Sequence, residues 1–387
     1  MSALNDRIPV TILTGFLGAG KSTLLNRILK DPVMKDAAVI INEFGDVGID
    51  HLLVESSGDS IIELSDGCLC CTVRGELVDT LANLMDAVQT GRVKPVKRVV
   101  IETTGLADPS PVMQAIMGNP VIATNFELDG VVTVVDAVNG LQTLDNHEEA
   151  RKQAAVADRL IVSKKTMAEA TDGLEKRLRA LNPRAVMMDA DSAEAGSAAV
   201  LDNGLYDPAT KIADVGRWLQ DEDSHEAHHN HDHNHDGDHH GHHHHSHDHD
   251  GHAHQDPHDV NRHDASIRSF SIIEEKPIDP MALDMFIDLL RSAHGEKLLR
   301  MKAIVSVSDR PDRPLVLHGV QSIFHPPVRL AAWPGEDRRT RMVLITRDLP
   351  EAFVKDLFDA FLGKPRIDMP DRAALSDNPL AIPGMRI

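Results

Sequence analysis

Cysteine is scarce in this 387-residue chain: there are three, all between Cys68 and Cys71. So short a cluster is no framework of disulfides; in a reducing compartment it reads as metal-binding or redox-active. Long apolar runs are missing too. No stretch approaches the ~18 to 20 apolar residues that span a bilayer, and Met1 to Ile8 carries Asp6 and Arg7 without the apolar centre of a signal peptide. The expected location is the cytoplasm, with no membrane partner. Positive charge is also in short supply: 40 Lys and Arg face 60 Asp and Glu, a formal net charge of −20. That balance argues against nucleic acid or an anionic membrane as a non-specific partner.

What is present has the composition of a soluble globular protein, 42% hydrophobic and 26% charged, long enough for two domains with real cores. Residues 1–220 alternate strand-like and helix-like segments, the pattern of an α/β domain with a mostly parallel sheet. Strands are expected at Val10–Leu13, Ala38–Ile41, Ser60–Leu64, Arg98–Glu102, Val131–Asp136 and Leu160–Val162. Most are short and rich in Val and Ile, as strands covered on both faces should be. Leu77, Leu81, Leu84, Met85 and Val88 share one helical face and are expected in the core.

The composition then changes abruptly. Between Asp221 and Asp264 stand eighteen of the 23 histidines and twelve Asp or Glu against one Arg. With almost nothing apolar to bury, residues 221–265 are expected to form a disordered linker. Their imidazoles suit Zn²⁺, Ni²⁺, Co²⁺ or Cu²⁺, and so suggest an antenna or buffer for metal. His51, His147, His294, His318 and His325 are expected to be structural. Residues 266–387 suggest a small α+β domain of order βαβββα: strands at Ile267–Ile273, Leu298–Val307, Pro314–Gln321 and Arg341–Thr346, a helix capped by Asp279-Pro280, and a closing helix carrying Phe353, Leu357, Phe358 and Phe361.

The strongest motif is Gly15-Phe16-Leu17-Gly18-Ala19-Gly20-Lys21-Ser22, followed by Thr23. It follows a strand and opens a helix. There the glycines let successive N–H groups turn inward on a phosphate, and the helix dipole adds to the attraction. Lys21 is expected on the β- and γ-phosphates and the Ser22 hydroxyl on Mg²⁺. The magnesium side needs a carboxylate at the end of a neighbouring strand; Glu102 is the expected one and Asp136 the rival. Gly105 is the expected backbone contact to the γ-phosphate. No residue stands out as the group that positions water.

Cys68-Leu69-Cys70-Cys71 offers soft thiolates that suit Zn²⁺ or Cu⁺. Three thiolates leave a tetrahedral shell one ligand short, which suits handover better than storage. Glu43, in Asn42-Glu43-Phe44-Gly45, is the candidate fourth ligand; a redox switch or three incidental thiols are the alternative readings.

Taken in order, the phosphate loop, Asn42-Glu43-Phe44-Gly45, Cys68-x-Cys70-Cys71 and Glu102-Thr103-Thr104-Gly105-Leu106-Ala107-Asp108-Pro109 resemble the CobW-like GTPases of the SIMIBI class. Leu317-His318-Gly319-Val320-Gln321 and Arg341-Met342-Val343-Leu344-Ile345 are similar to that family's C-terminal domain. The resemblance implies a GTP-hydrolysing metallochaperone with GTP, Mg²⁺ and Zn²⁺ as its small partners and zinc-receiving metalloenzymes as its clients. It implies phosphate contacts from Gly15 to Thr23, Glu102 on the Mg²⁺ side, and the three cysteines holding the transferred metal. The zinc-chaperone branch fits best. A reservoir without a delivery step, or delivery of cobalt or nickel, are the alternatives, and self-association into a homo-oligomer stays open. One departure stands out. Where the family carries Asn-Lys-x-Asp to read guanine, this chain has Ser163-Lys164-Lys165-Thr166. Ser163 and Lys164 are expected to keep their contacts to the nucleotide, while Thr166 cannot accept the paired guanine hydrogen bonds that a carboxylate takes.

Overall fold

The structure is a computed structural model, described here for residues 7–41, 61–63, 73–202 and 266–364. The first part holds strands β1 (Ile8–Gly15), β2 (Ala37–Ile41), β3 (Ile61–Glu63), β4 (Arg98–Glu102), β5 (Phe126–Asp136), β6 (Arg159–Ser163) and β7 (Val186–Asp189). They form one sheet in the order β3-β2-β4-β1-β5-β6-β7, and every pairing in it is parallel. Helices α1 (Lys21–Ile28), α2 (Val73–Gln89), α3 (Ser110–Gly118), α4 (Pro120–Asn125), α5 (Gly140–Asn146), α6 (Glu148–Ala155) and α7 (Asp172–Leu181) connect the strands.

Alternation along each strand explains why both faces need cover. Val10 and Ile12 of β1 join Val99 and Ile101 of β4 in a core with Leu77, Leu81 and Leu84 of α2, Val112, Met113 and Ile116 of α3, and Leu174 and Leu178 of α7. Leu13 and Val100 point the other way and pack with Leu24, Leu25 and Ile28 of α1. Burying each such aliphatic side chain is worth roughly 1.5–3 kcal/mol, so the central strands are fixed from both sides.

The second part is antiparallel. Strands β8 (Ile267–Glu274), β9 (Leu298–Val305), β10 (Leu315–Val320), β11 (Ile323–Phe324), β12 (Val328–Arg329) and β13 (Thr340–Arg347) run in the order β11-β10-β9-β13-β8, with β12 also paired to β10. Helices α8 (Pro280–His294) and α9 (Glu351–Phe361) cover one face through Leu283, Phe286, Leu290, Val354 and Phe358. Asp279 caps α8, accepting from the amides of Met281 at 2.9 Å and Ala282 at 3.2 Å, with Pro280 following. The expected order βαβββα is present, with two additional strands of two residues each inserted before the last long one.

Ile267, Leu299, Val320 and Ile345 of the second part belong to the core of the first. Beside this seam Asp158, just ahead of β6, accepts from the Arg300 guanidinium at 2.7 and 2.9 Å and from the Lys302 ammonium, both on β9. Its Oδ2 also accepts from the Val131 amide at 2.9 Å. Burial pushes the Asp158 carboxyl up, but the Arg300 and Lys302 cations and these hydrogen bonds outweigh it and hold it well below the usual carboxylate range.

Candidate functional site

The loop between β1 and α1 turns at the carboxyl end of the central strand. Gly18 and Gly20 adopt φ of 70° and 97°, left-handed values that glycine takes without a Cβ clash. Gly20 caps α1 without a side-chain hydrogen bond, and no acidic residue sits in the helix's first turn. The opening amides of α1 therefore present donors at the positive end of its dipole, the arrangement that attracts phosphate. Lys21 Nζ donates to the carbonyls of Gly15 at 3.0 Å and Phe16 at 3.3 Å, which holds the ammonium against the loop. Ala19 is buried, while Thr23 is exposed on the first turn.

Pairing between β1 and β4 sets Leu13 opposite Glu102, so the Glu102 carboxylate stands at the adjacent strand end. Ser22 Oγ donates to Glu102 Oε1 at 2.8 Å, and Glu102 is only 5% exposed. The hydroxyl and the carboxylate make an all-oxygen donor set of the kind a hard cation such as Mg²⁺ takes and a soft one does not. Past Glu102, Thr103 Oγ1 donates to Thr14 Oγ1 at 2.8 Å and keeps the two strand ends together. Gly105 then approaches the phosphate loop so closely that a Cβ there would lie 2.6 Å from the Leu17 amide nitrogen. Only glycine tolerates that approach.

Asp136, the rival carboxylate, serves the other flank. Its Oδ2 pairs with Lys164 Nζ at 2.7 Å, and its Oδ1 accepts from the Val138 amide at 2.7 Å. Burial pushes this carboxyl up, but Lys164, the Val138 amide and Asn139 outweigh it and hold it below its ordinary value. Lys164 Nζ also donates to the Gly18 carbonyl at 2.8 Å, and Ser163 Oγ donates to the Ala19 carbonyl at 2.6 Å. The end of β6 is thus stitched to the phosphate loop by two side chains. Lys164 itself takes a left-handed φ of 57°. Next to it Lys165 pairs with Glu175 at 2.8 Å, and Thr166 is exposed.

The structure therefore brings together Gly15 to Ser22, Glu102, Gly105, Ser163 and Lys164 around the carboxyl ends of β1, β4 and β6. Glu43, Cys68, Cys70, Cys71, His51 and the His-rich tract lie outside the described residues. Among the described residues no group of three or more His, Cys, Asp or Glu is placed to hold a metal ion. His147 lies tilted against Phe16, with ring centroids 4.5 Å apart, and His294 meets Phe353 edge to face at 4.9 Å. His325 is buried beside Arg7, its Nε2 3.4 Å from the guanidinium. Two features of the site were not read from the sequence: the pairing of Asp136 with Lys164, each named there for another role, and Gln153 of α6, which donates to carbonyls on either side of Leu106.

With this arrangement in view, likeness to known proteins is specific. Residues 9–189 match the CobW/HypB/UreG nucleotide-binding domain, and residues 267–362 the C-terminal domain of the cobalamin synthesis protein CobW. The zinc chaperone YjiA of Escherichia coli is 30% identical over 352 residues, covering 91% of this chain and 98% of its own. The chain belongs to the CobW/HypB/UreG family. A second relative, the zinc chaperone CobW of a Sinorhizobium species, is also 30% identical, over 93% of this chain and 99% of its own. Among solved structures, Zn(II)-bound YjiA GTPase from E. coli superposes with a TM-score of 0.61 at 26% identity, over 92% of this chain and 99% of that one. Membership makes this chain a P-loop GTPase, with the parallel sheet and the separate antiparallel domain of that fold.

Proposed function

We propose that this GTPase is a zinc metallochaperone that couples GTP hydrolysis to delivery of zinc to client metalloproteins. The observation that carries the nucleotide half is the contact of Ser22 Oγ with Glu102 Oε1 at 2.8 Å beside the Lys21 loop. That places a hydroxyl, a carboxylate and an ammonium on one rim of an anion cradle. Mg²⁺, when bound, would neutralise phosphate charge on this rim, with Ser22 and Glu102 as the residues that hold it. The residues' own work is to bind and orient. Loop amides from Gly15 to Thr23 receive phosphate oxygens, Lys21 offsets their charge, and Gly105 presents its backbone to the γ-phosphate. Ser163 and Lys164 brace the loop from the base side.

The zinc half is supported by the names of two full-length relatives, both zinc chaperones, and by the chemistry of Cys68, Cys70 and Cys71. Zinc is cargo here, held by the three thiolates with Glu43 as fourth ligand. A weak fourth ligand leaves a position a client's own ligand can take, which favours release over storage. No helix among the described residues is long and apolar enough to cross a membrane. The proposal sets the protein in the cytoplasm, where clustered cysteines stay reduced. The test is to load the full chain with one zinc per cysteine site, add a zinc-free acceptor enzyme, and follow acceptor activation. GTP should accelerate transfer. Equal rates with GTP, GDP and no nucleotide would leave only a reservoir.

Base recognition carries its own expectation. Thr166 stands where the family's guanine-reading carboxylate would be, so preference for GTP over ATP should be weaker than in relatives that keep Asp. Thr166→Asp should sharpen it by about 1–3 kcal/mol, the worth of a restored charge-assisted pair. Competition binding of GTP and ATP to both proteins checks this. A wild-type preference above roughly a thousandfold, about 4 kcal/mol, would mean that other groups read the base.

A further inference from the structure

We infer that Gln153 is a positioning residue for GTP hydrolysis, holding the Gly105 loop in the arrangement that meets the γ-phosphate. Gln153 lies within α6 and is 1% exposed. Its Nε2 donates to the Gly105 carbonyl at 3.1 Å and to the Ala107 carbonyl at 2.9 Å. Two carbonyl acceptors fix which end of the amide is nitrogen, since an amide oxygen in that place would face two oxygens. A carbonyl tied down on one side of a planar peptide turns the following N–H to the other side. The peptide that follows Gly105, otherwise the most conformationally free residue of the loop, is thereby given one orientation, with the Leu106 N–H turned away from Gln153.

Close contact with Leu17 limits where Gly105 can sit, and the two hydrogen bonds from Gln153 add a fixed direction for its carbonyl. The helix that supplies them is well anchored. The Gln153 carbonyl accepts from Thr133 Oγ1 of β5 at 2.8 Å. Lys152 reaches Asp108 at 3.4 Å, and Glu148 accepts from Arg347 of β13 at 2.6 Å. One short helix therefore joins the central sheet, the Gly105 loop and the C-terminal sheet.

The inference rests on the assignment of Gly105 to the γ-phosphate, so the test separates the two. Gln153→Met keeps length and removes both donors; Gln153→Glu keeps shape and sets a carboxylate against two carbonyls. In the full chain, affinities for GDP and for a non-hydrolysable GTP analogue are measured together with kcat and KM. GDP affinity should stay within about twofold of wild type, because GDP lacks the γ-phosphate. Analogue affinity should fall in both variants, and kcat should fall roughly 10- to 100-fold, as misplacement of a positioned group produces, with Glu worse than Met. Equal losses for GDP and the analogue would reduce Gln153 to a structural role, and unchanged kcat and analogue affinity would give it none. Gly105→Ala probes the premise: wild-type kcat and analogue-over-GDP preference in that variant would remove the γ-phosphate assignment and the inference with it.

Discussion

Lys21→Ala should lose tight binding of GTP and GDP alike. Lys21 Nζ is already held on the loop by the Gly15 and Phe16 carbonyls, so little ordering remains to be done when a phosphate arrives. Removing the cation takes away the one side-chain charge that the loop itself sets against the phosphates. Truncating one partner of such a charge pair costs about 2–5 kcal/mol, or roughly 30- to 5,000-fold in affinity. Calorimetric titration with both nucleotides measures it, and thermal denaturation of the free protein controls for folding. Lys21 donates to the Gly15 and Phe16 carbonyls of its own loop, so the melting temperature of the variant is measured beside its affinities. Near-wild-type GTP affinity would falsify the cradle assignment.

The second large effect is on stability. Asp158 is buried between the two sheets, with Arg300 and Lys302 on one side and the Val131 amide on the other. Asp158→Ala leaves two cations facing an apolar seam without their counter-charge. Breaking a buried ion pair from one side costs about 3–5 kcal/mol, which in a protein of this size lowers the melting temperature by roughly 4–9 °C. Replacing all three charges together with apolar residues of similar volume should recover most of the loss, since no orphaned charge then remains. The pH dependence follows from the sign of the shift. The carboxyl is held well below its ordinary value in the folded protein. Its contribution is thus present above the unfolded pKa of about 4 and is lost as pH falls toward the folded one. Wild type should lose stability on acidification more steeply than Asp158→Ala. Identical melting temperatures for the two proteins would mean that the seam is held by its apolar contacts alone.

Much of the fold was legible because β-branched runs between helical stripes leave few alternatives to a doubly covered parallel sheet. The expected strands at Val10–Leu13, Ala38–Ile41, Arg98–Glu102 and Leu160–Val162 all lie within observed ones. β5 begins five residues earlier than its apolar run suggested, at Phe126. Its opening Glu127-Leu128-Asp129-Gly130 reads as a turn, yet Asp129 is paired with Arg98 at 3.1 Å and Glu127 with Arg7 at 3.2 Å. Partners more than thirty residues away for Asp129, and farther for Glu127, satisfy what a local reading takes for loop polarity. β7 went unseen because Val186-Met187-Met188-Asp189 is short, only half-buried, and carries one β-branched residue.

The site divides along the same line. The phosphate loop and Glu102 could be picked out because backbone geometry dictates glycine, lysine and serine at fixed offsets, and an acid at a strand end. Asp136 drew attention for the same reason, but its partner is Lys164, a residue beyond the next strand. Nothing local marks a strand-end acid as one that pairs with a distant lysine. Gln153 was invisible: one glutamine in a short helix of Glu, Ala, Arg and Lys has no sequence signature until the Gly105 carbonyl is seen in front of it.

α2 begins at Val73, two residues past Cys71, and its Leu77, Leu81 and Leu84 pack with Val112, Met113 and Ile116 of α3, the helix entered from the Gly105 loop. The cysteine segment and the Gly105 loop thus adjoin two helices that share one core, and the proposed coupling of metal to nucleotide would run through it. The central claim is that they are coupled. Zinc is titrated into the full chain at fixed pH, because thiolate ligation releases protons, with and without a non-hydrolysable GTP analogue. The same titrations on the Cys68, Cys70 and Cys71 to Ser variant subtract the histidine tract. The account predicts a difference of about 1–3 kcal/mol in zinc affinity, roughly 5- to 150-fold, matched by an equal effect of zinc on analogue affinity and absent from the serine variant. Superimposable zinc curves with and without the analogue would contradict it.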